Sequence, residues 1–187
     1  MKKTELKNFI RDIPDFPKKG IIFKDITPLL NNKDAFKKAI DMIAKKFKKG
    51  TIDHIVSVES RGFIFGAPLA YKLGAGFVLV RKKGKLPYKT KGIVYELEYG
   101  QDTLEIHEDA ITPQSRVLIV DDVLATGGTV RAVADLLKGE QANIVGATFL
   151  IELRFLKGKE KLKDFPIYSI IKYWLFYFLQ KNSDFIK

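Results

Sequence analysis

The sequence predicts an α/β fold on a mainly parallel sheet. Short apolar runs end in polar residues and feed straight into helical patterns, which is how strands buried on both faces and their crossover helices read. The first such run is His54-Ile55-Val56-Ser57-Val58, followed by Glu59-Ser60-Arg61-Gly62 and then the helical stretch FIFGAPLAYKLG. The second is Arg116-Val117-Leu118-Ile119-Val120, followed by Asp121, Asp122 and a glycine-rich turn into TVRAVADLLKG. Phe77 to Val80, ending at Arg81, reads as a third buried strand, and Ile144 to Ile151 and Ile167 to Ile171 supply two more. Ahead of the first strand, Phe36, Ile40, Ile43 and Phe47 recur at helical spacing, which predicts an amphipathic helix from about Lys33 to Phe47.

Two stretches break the alternation. Residues 14–30, PDFPKKGIIFKDITPLL, carry three prolines and one glycine around an apolar centre. Residues 82–112 are rich in glycine and lysine and then alternate, as in Tyr95-Glu96-Leu97-Glu98-Tyr99, which predicts an antiparallel hairpin or a mobile loop. Ligands of an open parallel sheet bind beyond the carboxyl ends of its strands. Arg61, Arg81, Asp121 and Asp122 all fall there, so both odd stretches are candidates to cover a site.

Composition narrows the function classes. The chain has 187 residues, 46% hydrophobic and 29% charged, which suits one soluble domain with a single core. It has no cysteine, which excludes disulfides and thiolate metal sites. His54 and His107 lack metal-ligand spacing. A net charge of +11 invites a nucleic-acid reading. The lysines are spread along the chain rather than clustered, so the expectation is a solvated surface and no nucleic-acid partner. The N-terminus is basic without the apolar run of a secretion signal, and a cytoplasmic location is expected.

The sharpest local signal is Val117-Leu118-Ile119-Val120-Asp121-Asp122-Val123-Leu124-Ala125-Thr126-Gly127-Gly128-Thr129. A buried strand delivers two carboxylates into a turn whose glycines let backbone N–H groups face inward. The helix beginning near Thr129 then offers its positive end, so a phosphate can bind there without a lysine. Thr126 and Thr129 add hydroxyls. No Gly-Lys-Ser/Thr follows, so the turn is not a Walker loop. Carboxylates beside a phosphate site repel it unless they serve something else, and sugar hydroxyls are suitable partners. Alone, Gly-Gly-Thr would be an ordinary strand-to-helix turn.

These residues resemble the phosphoribosyl pyrophosphate motif of type I phosphoribosyltransferases. DFPKKGIIFKDITPLL at 15–30, VESRGFIFGAPLA at 58–70, VRKKGKLP at 80–87, YELEYGQDTLEIHEDAI at 95–111 and IELRFLKGKEKL at 151–162 are similar, in order, to the adenine phosphoribosyltransferases within that family. The resemblance runs to about Tyr173. It implies one domain over residues 1–173, with a small hood from residues 14–30 and a flexible catalytic loop over about 82–105. The implied reaction joins adenine to the donor, giving AMP and pyrophosphate. Transfer to hypoxanthine or xanthine, or non-catalytic sensing of the donor, remain alternatives.

The resemblance also implies roles for individual residues. Ala125, Thr126, Gly127, Gly128 and Thr129 would cradle the 5-phosphate, and Asp121 and Asp122 would meet the ribose hydroxyls. Ser60, Arg61, Arg81 and Lys85 would lie on the pyrophosphate side, with a solvated turn the lesser alternative for the 81–85 cations. Phe23 would stack on the purine, with backbone at Ile22 and Lys24 reading its edge and Leu153 forming an apolar wall. Glu98 would handle a purine proton, with Glu96 its nearest competitor. Mg²⁺ is implied as a cofactor held mainly through the substrate, with no dedicated protein ligand set, and so is a homodimer. Family members end near Tyr173, so the aromatic-rich segment 174–187 is extra, and it is too short for stable membrane insertion as a helix.

Overall fold

The computed structural model describes residues 5–96 and 100–174. In chain order its elements are β1 (Arg11–Ile13), β2 (Phe23–Asp25), α1 (Thr27–Asn31), α2 (Lys33–Ala44), β3 (His54–Val58), α3 (Arg61–Leu73) and β4 (Gly76–Lys82). There follow β5 (Thr90–Glu96), β6 (Gln101–His107), β7 (Arg116–Leu124), α4 (Gly128–Gly139), β8 (Asn143–Leu153) and β9 (Ile167–Tyr173). Short 3-10 turns precede β1 and link β8 to β9.

Seven strands form the main sheet in the order β5-β6-β4-β3-β7-β8-β9. The five from β4 to β9 in that order run parallel. β5 and β6 form the predicted antiparallel hairpin, seven register pairs long, but join the rest through only two, Arg81↔Glu105 and Lys82↔Leu104. The central strands are apolar on both faces because both are covered. Along β7, Leu118 and Val120 pack with α2 and α3, whereas Val117 and Ile119 pack with α4. All four are fully buried.

Helix α2 starts where Asn32 caps it by accepting a hydrogen bond from the Ala35 amide at 2.9 Å. It ends at Ala44, three residues short of the expected Phe47, and turns its Ala35, Ala39, Ile40 and Ile43 face to the core. Helix α3 lies close against the sheet. A Cβ on Gly66 would sit 2.7 Å from Phe77, and one on Gly62 would sit 2.9 Å from Asp121 Oδ1. Those two glycines, one turn apart on one face, let the helix start against the end of β7.

The irregular segment 14–30 adds a second, small sheet and plants Ile26 and Leu29 in the main core. Its strand β2 pairs antiparallel with β1 in a two-stranded sheet, and α1 follows. Lys24 is nearly buried there, paired with Asp12 at 2.7 Å and lying 4.2 Å from the centre of the Tyr173 ring. The contact with Tyr173 ties the small sheet to the edge strand β9.

Candidate active site

The acidic pair sits on the last residues of β7, because the strand continues to Leu124 and does not stop at Val120 as the sequence suggested. Asp121 is therefore still in register, opposite Phe149 of β8. Adjacent strand residues point to opposite sides, and the two acids line different hollows. Asp121 joins Ala125, Thr126, Gly127, Gly128 and Thr129 around a cup of about 70 Å³. Asp122, with Val123 and Ala125, lines a larger cleft of about 490 Å³.

The cup owes its shape to Gly127, which caps α4 in a left-handed conformation at φ +79°. A Cβ there would lie 2.5 Å from the Gly158 carbonyl oxygen. Gly158, in the link between β8 and β9, in turn presses on the Ala125 carbonyl. Sequence reading missed Gly158, because nothing in FLKGKEKL says which backbone its glycine must approach.

Burial pushes the Asp121 carboxyl well above the ordinary carboxylate range, and repulsion from Asp122 adds to it. Burial also raises Asp122, opposed by the Arg61 guanidinium. Arg61 Nη2 lies 2.5 Å from Asp122 Oδ2, although that oxygen accepts no well-directed hydrogen bond among the described residues. The contact is a charge pairing in poor hydrogen-bond geometry. Arg61 opens α3, a position where a cation opposes the helix dipole. Asp122 supplies the compensating anion from within the protein.

Ser60 is the N-cap residue of α3 and uses no side-chain cap bond. Just before it stands Glu59, which the sequence reading passed over. Its Oε2 accepts from Arg81 Nε at 3.1 Å and Nη2 at 3.0 Å, and its Oε1 accepts from the Lys82 amide at 2.7 Å. Lys85 Nζ reaches it at 3.4 Å, and Arg81 Nη1 donates to the Lys85 carbonyl at 2.9 Å. Burial pushes the Glu59 carboxyl up, but the Lys82 amide, Arg81 and Lys85 together hold it below its usual value. The 81–85 turn is thus held by a carboxylate and is not simply solvated.

The larger cleft brings the small N-terminal sheet over the strand ends. Ile22, Phe23 and Lys24 line it from one side, Leu153 at the end of β8 from the other, and Arg61 and Asp122 from its floor. Lys24 points its ammonium away to Asp12, so only its backbone and stem face inward. The Arg61 guanidinium lies 4.8 Å from the Phe23 ring centre, and Phe16 meets that ring edge-on at 5.2 Å. Phe155 and Leu156 complete the apolar wall. They were missed because the RFL turn reads as loop. The cleft has the size and apolar lining usual for a small planar ligand.

Glu98 lies outside the described residues. The strand that leads to it does not: a Cβ on Gly128 would meet the Glu96 carbonyl at 3.8 Å. Burial raises the Tyr95 phenol, Asp102 adds to this, and a hydrogen bond with Thr129 opposes it. The hairpin therefore ends against the glycine turn. Among the described residues no group of three or more His, Cys, Asp or Glu is placed to hold a metal ion, and no helix is long and apolar enough to cross a membrane.

Comparison with known proteins gives a consistent answer. The phosphoribosyl transferase domain family matches residues 25–177. The adenine phosphoribosyltransferase of Syntrophotalea carbinolica is 59% identical over 169 residues, covering 90% of this chain and 99% of that protein. That of Trichormus variabilis is 56% identical over 171 residues, with coverage of 90% and 99%. The crystal structure of adenine phosphoribosyltransferase from Thermoanaerobacter pseudethanolicus superposes with a TM-score of 0.89 at 54% identity, covering 92% of this chain and 100% of that one. The Saccharomyces cerevisiae enzyme, solved with adenine and an imino-altritol bisphosphate, gives 0.84 at 44% identity, with coverage of 90% and 97%. The chain belongs to the phosphoribosyltransferase family, within its adenine phosphoribosyltransferases.

Proposed function

We propose that this chain is a purine-salvage transferase that moves the 5-phosphoribosyl group of phosphoribosyl pyrophosphate onto adenine, giving AMP and pyrophosphate. The observation that carries this reading is the pair of adjoining hollows at the end of β7, a small cup formed by the glycine turn and an apolar cleft, with one acid in each. A nucleoside monophosphate has the matching two ends, separated by a sugar.

In this reading the Ala125–Thr129 turn binds the 5-phosphate through backbone amides, the Thr126 and Thr129 hydroxyls and the positive end of α4. Asp121 and Asp122 meet the ribose hydroxyls, partners that suit a buried acid pair whose Asp122 Oδ2 accepts no hydrogen bond among the described residues. Adenine lies between the Phe23 side and Leu153, read at its edge by backbone at Ile22 and Lys24. The bond from the ribose anomeric carbon to pyrophosphate breaks as a purine ring nitrogen bonds to that carbon, and positive charge builds on the sugar. Ser60, Arg61, Arg81 and Lys85 receive the departing anion. Glu98 takes up or returns a proton at the purine five-membered ring. The 82–105 segment closes over the reactants and limits loss of the donor to water.

Mg²⁺ would add positive charge to the pyrophosphate oxygens. The fit is an indirect one: two hard carboxylates stand in the right place, and the ion usually keeps waters and substrate oxygens. A homodimer and a cytoplasmic setting are part of the same proposal, supported by family likeness and by charged phosphate substrates. Light scattering gives the molar mass. The activity test is incubation with labelled donor and each purine in turn, following pyrophosphate release. Release with adenine supports the reading, and release only with hypoxanthine or xanthine refutes the choice of base.

A further inference from the structure

We propose that Glu59 is a positioning residue of the transfer reaction, its carboxylate fixing Arg81 and Lys85 in the attitude in which they receive the pyrophosphate. The inference rests on the reading above that places those two cations on the pyrophosphate side.

Glu59 follows β3 directly, and its amide donates to the Val80 carbonyl at 2.9 Å, so it closes the gap between β3 and β4. Its side chain is only 8% exposed, and a buried charge is costly unless well partnered. It is partnered from three directions, by Arg81, the Lys82 amide and Lys85. A guanidinium has five N–H donors. Two of Arg81's go to Glu59 and one to the Lys85 carbonyl, which leaves two on a group whose plane is already set. Lys85 Nζ, held loosely at 3.4 Å, can lean away to a stronger anion.

The charges point the same way. One carboxylate stands against two cations, so the cluster keeps a net positive charge, and the Arg81 side chain has given up its rotamer freedom before the anion arrives. Glu59 also joins two otherwise separate loops, since Ser60 and Arg61 follow it in the chain and Arg81 to Lys85 are bonded to it. A carboxylate near an anion site would weaken binding if charge alone mattered. A carboxylate that orients cations strengthens it. The two ideas predict opposite signs.

The test uses the full chain. Glu59→Gln keeps the shape but turns an amide NH₂ toward donors. Calorimetric titration with Mg-pyrophosphate measures affinity, and steady-state kinetics measure KM for donor and for adenine separately. Glu59→Gln is expected to weaken pyrophosphate and raise the donor KM by about tenfold or more, the scale of lost charge-assisted bonds, with the adenine KM unchanged. Glu59→Asp, which keeps the charge but shortens the reach, is expected to weaken pyrophosphate by about threefold. It carries the test if Glu59→Gln fails to fold. On an Arg81→Gln background the Glu59→Gln change should add little, as residues acting through one another are not additive. Wild-type protein that binds no pyrophosphate overturns the functional reading along with the inference. Normal wild-type binding with equal or tighter binding by Glu59→Gln overturns the inference alone, as does an equal rise in both KM values. For Glu59→Asp, unchanged pyrophosphate affinity does the same.

Discussion

Replacing Gly127 by alanine tests the link between backbone shape and catalysis. The residue sits at φ +79°, where a side chain costs about 1–2 kcal/mol. The new Cβ would also stand 2.5 Å from the Gly158 oxygen, whereas real Cβ contacts essentially never fall below 3.0 Å. The turn or the Gly158 backbone must therefore shift by about half an ångström, and misplacing reacting groups by about 1 Å costs on the order of 100-fold. The expected loss in kcat/KM for the donor is roughly tenfold or more, with adenine's KM at saturating donor within about twofold of wild type. Strain of that size lowers Tm by about 2–8 °C in a chain of this length. Gly139→Ala in the last turn of α4, where a Cβ meets nothing within 4 Å, is the control and should leave both quantities near wild type or slightly improved. Pyrophosphate release gives the kinetics and thermal melting the stability. If Gly127→Ala kept its donor kcat/KM within about twofold, the account of the cup as a strained, glycine-dependent phosphate site would be wrong.

Other outcomes follow from the same geometry. Asp122→Asn removes the charge facing Arg61 and should cut turnover by at least about tenfold; turnover within about twofold of wild type would remove Asp122 from the reaction. Asp121→Asn should cut turnover similarly while stabilising the free protein near neutral pH. The sign follows from a folded carboxyl raised above its ordinary 3.8: between that pH and the folded value the native state holds the extra proton, so stability falls as pH rises through this window, and the amide removes the share of the slope that Asp121 contributes, leaving that of Asp122. Melting curves from about pH 4 upward would show parallel slopes for the two proteins if this is mistaken. Phe23→Ala should raise the adenine KM several-fold and leave the donor KM alone, and equal effects on both would argue against base stacking. Glu98→Ala should lower kcat more than donor binding, and full turnover would end its catalytic assignment.

The parallel strands were legible because burial on both faces leaves an unbroken apolar run. β3 matched its predicted span, and β4, β7, β8 and β9 each ran a few residues longer. The extension of β7 matters most. Asp121 and Asp122 look like turn residues by composition, but pairing with β8 holds them in the strand and sends them into different hollows. The hairpin was visible in the alternation at 95–99, and the hood was visible only as a stretch that broke the pattern. Glu59, Gly62 and Gly158 were not legible as site residues. Their positions depend on what approaches them from distant sequence, Arg81 in one case, the end of β7 in the second and the Ala125–Thr129 turn in the third. No period or spacing encodes such approaches.

The two-pair seam between β4 and β6 makes the hairpin a lever, and its fulcrum is the pair Arg81 and Lys82. Beyond that seam the hairpin is held by packing, Leu104 and Ile106 lying in the core with Val56 and Ile119 and β5 against α4, so only its far end should exchange amides with solvent at a lower opening cost. The first joint to feel a swing of that end is the one that carries the guanidinium. On the reading proposed above, in which the hairpin covers the site and Arg81 meets the leaving anion, tilting the one would re-aim the other through the same two peptide units.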